Sequence, residues 1–405
     1  AWSGGVVSPM PFIHTPDHLS RRKTALFTVV MFLGVWAFIE TAGYVFLQAA
    51  QTRFNIFYGL RPPTDAELDL FAAIAFHPVL GWDLPKLVER GHHDERISHP
   101  YTTTTRYKTK AFGDSFTQGG PDHDGTYEYF VEEQTGWQYL NYGVSGYGPD
   151  QALLKYQANV VKTDFTTLGI LDENIGRVVN RLRGFYTFQE SFRSKPRYIV
   201  QTDGSVVLLP NPIQDPRDLR KLQDRDYVEE LRKQDYWSTY HERLNAPYDL
   251  RWPVSSVILP HFDFFAGQTI RLIRHAIHPS YETHLWRSRY YHLYETGSEG
   301  IKILRHIVDE FAAIAQSRGE VPIVLVFPAI TTMDVLSEYG RKVYQPLVDH
   351  LTTQGVEFID FGDVFLRERA YNEFYRDEGH FNATGNRIVA REIVTRIQQL
   401  DSSTD

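Results

Sequence analysis

From Thr24 to Ile39 the chain carries no charged side chain, and after Glu40 its apolar character resumes as far as Ala50. Twenty-odd residues at about 1.5 Å rise cover a hydrocarbon layer of about 30 Å, so a membrane-spanning helix is predicted over 24–50. The stretch is longer than the apolar region of a signal peptide, and the segment ahead of it is unusually extended. A buried core helix is the other alternative. Arg21, Arg22 and Lys23 abut one end, whereas Arg53 and Arg61 are spread beyond the other. Positive charge stays on the cytoplasmic side, which predicts a cytoplasmic arm over 1–23 and a main domain in the periplasm or another extracytoplasmic space. Glu40 is costly if it faces lipid. It lies near the outer interface, faces another group of the protein, or marks a contact with a partner.

Composition narrows the function classes. The 405 residues carry 42 Lys and Arg against 50 Asp and Glu, a formal net charge of −8. Such a chain lacks the cationic footprint that phosphate backbones demand, so nucleic acid is excluded as an expected partner. There is no cysteine. Disulfides, a thiol nucleophile, thiolate metal sites and Cys-ligated iron–sulfur clusters are thereby excluded, while the compartment stays open. The mean hydropathy of −0.35 is incompatible with a polytopic membrane protein but not with one span.

After a lead-in over 51–106, with a short helix predicted around Glu67–Ala75, strands and helices alternate. Strands are predicted at Tyr107–Phe112, Tyr139–Val144, Phe165–Leu171, Val321–Phe327 and Val356–Asp360. Helices are predicted around Tyr127–Gln134, Asp150–Asn159, Glu299–Gln316, Gly340–Thr353 and Gly385–Leu400. Apolar strands alternating with amphipathic helices imply a parallel sheet covered on both faces. The fold class is therefore α/β, formed by 107–183 together with 299–400. Residues 184–298 read as a large insertion. It opens with two β-rich runs around Asp203-Gly204, a hairpin signal. A charged helix follows, expected as a solvated face. The apolar stretch from Trp252 to Ile277 could cover a cleft, touch the bilayer, pack on a partner or be ordinary core.

Three segments carry chemistry-bearing residues. In AFGDSFTQGG, Ser115 follows a predicted strand at a Gly-rich turn, where a serine can present its Oγ at the carboxyl edge of a sheet. Gly-Asp-Ser is equally common turn chemistry. In YRDEGHFNATGN, Asp377 precedes His380 by three residues. A carboxylate there can fix the tautomer of a histidine that takes a proton from serine, although loop capping explains the same residues. The third group could donate hydrogen bonds to a developing oxyanion: Gly146 in NYGVSGYG and the Asn174 amide in GILDENIGR. A turn glycine and a helix cap are the alternatives. All these residues follow strands of one predicted sheet or precede its last helix, so the fold brings them to one edge.

Taken together, the GDS, N-x-G-x-x-G and D-x-x-H-F-N-A-x-G-N segments resemble the SGNH (GDSL-type) hydrolase superfamily, over about 100–180 and 299–400. The resemblance implies a three-layer, flavodoxin-like α/β/α domain. It also implies Ser115 as nucleophile, His380 and Asp377 completing a triad, and an oxyanion hole of Ser115 N–H, Gly146 N–H and Asn174. Members act on esters as lipases, carbohydrate O-acetyl esterases or thioesterases, and membrane-anchored relatives include O-acyltransferases. The third block departs from the family's G-x-N-D, reading Leu171-Asp172-Glu173-Asn174 here.

His92-His93-Asp94-Glu95 and Asp122-His123-Asp124 contain metal-ligand residue types without the i, i+4 spacing of a zincin-type site, and read as solvated loops. No metal or organic cofactor is expected. The expected partners are an ester or an acylated carbohydrate or lipid, together with membrane lipid. The function expected is that of a membrane-anchored serine ester hydrolase or O-acyltransferase. The alternative is a catalytically idle scaffold of the same fold, serving as an accessory subunit of a larger membrane complex.

Overall fold

A computed structural model describes residues 20–54, 62–97, 107–120, 125–187, 190–243, 245–247, 250–277, 290–368 and 370–402. By its contacts the chain divides into two units.

The smaller unit contains the long helix α1 (Arg21–Phe54) and residues 250–260. Arg21–Ala50 is long and apolar enough to cross a membrane, and most of its large apolar side chains face outward, Phe32, Phe38 and Phe46 among them. Glu40 and Leu47 are buried instead, and the Glu40 carboxylate accepts from Ser255 N at 2.8 Å. Gly43 lets the backbone close on this segment, since a Cβ there would stand 3.0 Å from Val254 Cγ1. Trp36 and Trp252 meet edge to face at 5.5 Å. Of the readings open for Glu40, the one observed is a contact with another group of the same chain.

The larger unit is built on five strands: β1 (Tyr107–Phe112), β2 (Gln138–Asn141), β3 (Phe165–Leu171), β4 (Val321–Phe327) and β5 (Glu357–Asp360). They form one sheet in the order β2-β1-β3-β4-β5, with every pairing parallel. Alternation along β4 shows why the sheet needs cover on both sides. Val324 and Val326 belong to one buried cluster, and Ile323, Leu325 and Phe327 to the other. The first cluster takes its helical half from α3 (Pro149–Ala158), α5 (Glu299–Ser317) and α6 (Gln345–Gln354). The second takes it from α2 (Tyr127–Thr135) and α7 (Ala383–Ser402). The result is the expected three-layer α/β/α arrangement. In this strand order the direction of winding reverses between β1 and β3, and the crevice outside their carboxyl ends is where such sheets place their sites.

Several element bounds differ from the sequence-based expectation. Strand β2 stops at Asn141 rather than Val144, because the Asn141 side chain turns the chain by accepting from Gly143 N. The helix expected over Gly340–Thr353 starts only at Gln345, with Pro346 in its first turn, while Gly340 ends a separate helix, Ile330–Tyr339. Residues 197–209 form the expected antiparallel hairpin, with Gly204 at φ +87°. The charged helix is two pieces, Pro216–Gln223 and Arg225–Arg232, and it is not merely solvated: Leu219, Leu222, Val228 and Leu231 are buried. Helix α4 (Phe262–Ile277) follows and carries exposed apolar residues.

Candidate active site

Ser115 stands at the first position of a single helical turn, Ser115–Gln118, immediately after β1. Asp114 caps that turn, its Oδ1 accepting from Phe116 N at 2.9 Å. Gly113 is required by space, since a Cβ there would meet Thr117 Oγ1 at 2.2 Å and Gly169 O at 2.9 Å. The Gly-Asp-Ser sequence is therefore both a tight turn and the device that lifts the serine to the sheet edge.

The C-terminal block explains itself in the same way. Phe381 packs in the core, with its ring 4.8 Å from that of Phe116. Asn382 Oδ1 accepts from Gly385 N at the start of α7. A Cβ on Gly385 would strike Phe374 O at 2.5 Å, and Asn386 Nδ2 donates to Gly125 O at 2.6 Å. Tyr375 OH donates to Pro328 O beyond β4. These bonds fix the loop that carries His380, whose ring packs on Phe116 with centroids 5.0 Å apart.

The outcome is a short contact between distant residues: His380 Nε2 lies 2.8 Å from Ser115 Oγ. A hydroxyl in hydrogen-bond contact with an imidazole is the minimal arrangement for an activated serine nucleophile. The other face of the imidazole is less complete. Asp377 is exposed, and no hydrogen bond or ion pair joins it to His380. Among the described residues the carboxylate nearest Nδ1 is that of Glu378, at 3.9 Å and therefore beyond hydrogen-bond range.

The two candidate oxyanion donors are held by different means. In the N-x-G-x-x-G segment, Asn141 Nδ2 donates to Thr117 O at 2.8 Å and Ser145 N donates to Gln118 Oε1 at 2.6 Å. The segment is thus sewn to the Ser115 turn, and Trp82 Nε1 holds it from the other side through Ser145 O at 3.0 Å. Gly146 adopts φ +81°, a conformation that glycine takes without a steric penalty. Its missing Cβ leaves room for Arg193 Nη1 and Trp82 Cζ2, which would stand at 3.4 and 3.6 Å. Asn174 is buried, and its Nδ2 donates to Asp114 Oδ2 at 2.9 Å.

Sequence reasoning missed the cation beneath these groups. Arg177 Nη1 donates to Asp114 Oδ2 at 3.0 Å and to Tyr147 O at 2.9 Å, while its Nη2 reaches Glu173 at 2.8 Å. Burial opposes its charge, but Asp114 and Glu173 outweigh burial, and the guanidinium pKa is raised. Its spacing of four from Glu173 was the available signal. Asp172, in the same block, accepts from Ala329 N at 3.0 Å and is pushed up to about 7 by burial, partly offset by Thr332 and Ala329.

Among the described residues no group of three or more His, Asp or Glu side chains is placed to hold a metal ion. His93 N instead donates to Glu95 within its own loop, and Asp94 pairs with Arg90. Asp122, His123 and Asp124 lie outside the described residues.

No family model and no curated protein matches the chain. Among solved structures it is similar to a lipolytic protein of the G-D-S-L family from Desulfitobacterium hafniense, at 10% identity and a TM-score of 0.35, covering 72% of this chain and 99% of the other. A lipase/acylhydrolase from Enterococcus faecalis gives 11%, 0.34, 72% and 96%. LAE5, an α/β hydrolase enzyme from the metagenome of Lake Arreo, gives 13%, 0.35, 75% and 98%. At such values the functional reading rests on the residues of this chain.

Proposed function

We propose that the protein is a membrane-anchored serine ester hydrolase or O-acyltransferase of SGNH type. The observation that carries this reading is the 2.8 Å contact between Ser115 Oγ and His380 Nε2 at the switch point of the sheet. Ser115 Oγ attacks the ester carbonyl as His380 takes its proton. The developing oxyanion rests on the N–H groups of Ser115 and Gly146 and on the Asn174 amide. His380 then returns the proton to the departing alkoxide, and water or an acceptor hydroxyl releases the acyl group from Ser115. The substrate class is an ester, either a lipid or an acylated carbohydrate, met on the extracytoplasmic side of the membrane.

The carboxylate that orients His380 comes from the turn ahead of it. The family resemblance assigns that role to Asp377, and the 3.9 Å approach of Glu378 favours Glu378. A fluorophosphonate probe tests the nucleophile. Wild-type protein is expected to label, and Ser115→Ala is expected to abolish labelling and lower ester turnover by at least ~10³-fold. Failure to label beside a reacting control esterase would sink the assignment. One observation favours the second reading, an idle scaffold within a larger membrane complex: among the described residues no carboxylate is hydrogen-bonded to His380 Nδ1. On that reading Ser115→Ala leaves the biological function intact.

A further inference from the structure

Helix α4 presents an apolar stripe that no described residue covers. Phe262 is 65% exposed, Ile270 57%, Ile273 53% and Ile277 63%. At about 100° per residue these four side chains and Ala266 fall within an arc of about 80°. Phe264 points the opposite way and is buried. The N-terminal end is tied to its own unit by Asn245, whose Nδ2 donates to Asp263 Oδ1 at 2.7 Å and whose carbonyl contacts His261 Nδ1 at 2.8 Å. The helix is therefore docked on one side and left apolar on the other.

What covers the stripe follows from the chain just before it. Residues 250–260 are held against α1 at Glu40, through Ser255 N and the Trp36–Trp252 pair. Glu40 lies about 26 Å along α1 from Lys23 at the rise of an α-helix. That is close to the thickness of a hydrocarbon layer, so with the basic cluster at one interface Glu40 marks the other. Trp252 is half exposed there, as interfacial tryptophans are. Phe262 comes two residues after Pro260, and an extended chain covers at most about 7 Å in that step. The first turn of α4 thus begins within reach of the headgroups.

We propose that α4 is an interfacial helix, seating Phe262, Ile270, Ile273 and Ile277 in the lipid headgroup and acyl boundary. The proposal rests on reading α1 as a span. It gives the enzyme a second, in-plane attachment, which holds the α/β unit down on the membrane where an acylated lipid would be met.

Because the chain has no cysteine, single labelling sites can be introduced without background. The full chain is reconstituted in vesicles of phosphatidylcholine with phosphatidylglycerol. A nitroxide is attached in turn to Ile270→Cys, Ile273→Cys, Ile277→Cys, Val30→Cys on the span and Gln354→Cys on an exposed helix end. Collision with oxygen and with a water-soluble nickel chelate is then measured. The three stripe sites are expected to favour oxygen and exclude nickel, as Val30 does, while Gln354 favours nickel. If the stripe sites behave like Gln354 while Val30 stays in lipid, the interfacial helix is overturned and the anchor stands. Stripe labels that are immobilised and shielded from both reagents would assign the face to a protein partner and overturn the lipid assignment. Nickel access at Val30 would remove the span, and this proposal with it.

Discussion

Asn174 Nδ2 donates to Asp114 Oδ2 at 2.9 Å, and the same oxygen accepts from Arg177 Nη1 at 3.0 Å. Asp114 thus performs two tasks at opposite ends of one carboxylate, since its other oxygen caps the Ser115 turn through Phe116 N. The proposed nucleophile, Ser115, and the proposed side-chain oxyanion donor, Asn174, are thus tied to one buried residue. One N–H of the Asn174 amide is committed to Asp114, and on the proposed mechanism the second meets the oxyanion.

Asn174→Ala and Asp114→Ala should therefore separate. Loss of the Asn174 donor is expected to lower kcat by ~10²–10³-fold with little change in KM. Its cost in stability is about 1 kcal/mol, that of one hydrogen bond. Asp114→Ala leaves the buried Arg177 with Glu173 as its carboxylate partner and removes the Phe116 N–H cap as well, and is expected to cost more, about 3 kcal/mol. Steady-state kinetics and chemical denaturation read the two effects. Equal losses of stability in both variants would refute the division of roles.

The carboxylate behind His380 is open to a paired test. Glu378→Gln is expected to lower kcat more than tenfold and Asp377→Asn only slightly, because Glu378 approaches Nδ1 and Asp377 does not. An imidazole without its orienting carboxylate can lose as much as ~10⁴ in kcat. The reverse ranking would return the role to Asp377.

Much of this was legible in the chain, for physical reasons that can be named. Strands β3 and β4 are buried on both faces, so they read as unbroken apolar runs with sharp ends, and their expected bounds coincide with those observed. Ser115 and His380 were legible because each sits in a local signature, a Gly-rich turn and a capped helix start. The Asp114–Asn174–Arg177 cluster was not, because its hydrogen bonds join residues about sixty positions apart, and the local i, i+4 pairing of Glu173 with Arg177 says nothing of Asp114. The buried face of the charged segment after the hairpin was hidden for a related reason. Its buried leucines are spaced among so many ionic side chains that the composition hides the apolar face.

The region 184–298 is bound to the α/β unit by ions as well as by apolar contact. Lys195 and Asp150 are both fully buried and pair directly. The ammonium also donates to the carbonyls of Arg177, Asn180 and Pro196 at 3.0–3.2 Å. Lys195→Met leaves the Asp150 carboxylate unpaired, at an expected cost of about 3–5 kcal/mol. Adding Asp150→Asn should recover part of that loss, because the stranded charge is then gone. Denaturant unfolding of both variants measures this coupling, and purely additive losses would show that the pair is not coupled.

Glu128 should give the fold a pH dependence. It is fully buried in the first turn of α2, and burial pushes its carboxyl up to about 8, with Tyr127 and Arg96 offsetting only part of that cost. A carboxyl with a raised folded-state pKa keeps a proton that the unfolded chain releases near its ordinary value of 4.5. Its stabilising contribution is therefore complete at low pH. It is lost progressively as the pH climbs from about 5 to about 8, and no further loss follows above that window. Asp172, pushed up to about 7, adds to the slope over the lower part of the range. The melting temperature is accordingly expected to fall between pH 6 and pH 8. Glu128→Gln, which cannot ionise, should flatten that fall and raise the melting temperature at the alkaline end, as scanning calorimetry across the range would reveal. An unchanged slope in Glu128→Gln would mean that the carboxylate reaches solvent or a cation in the native state.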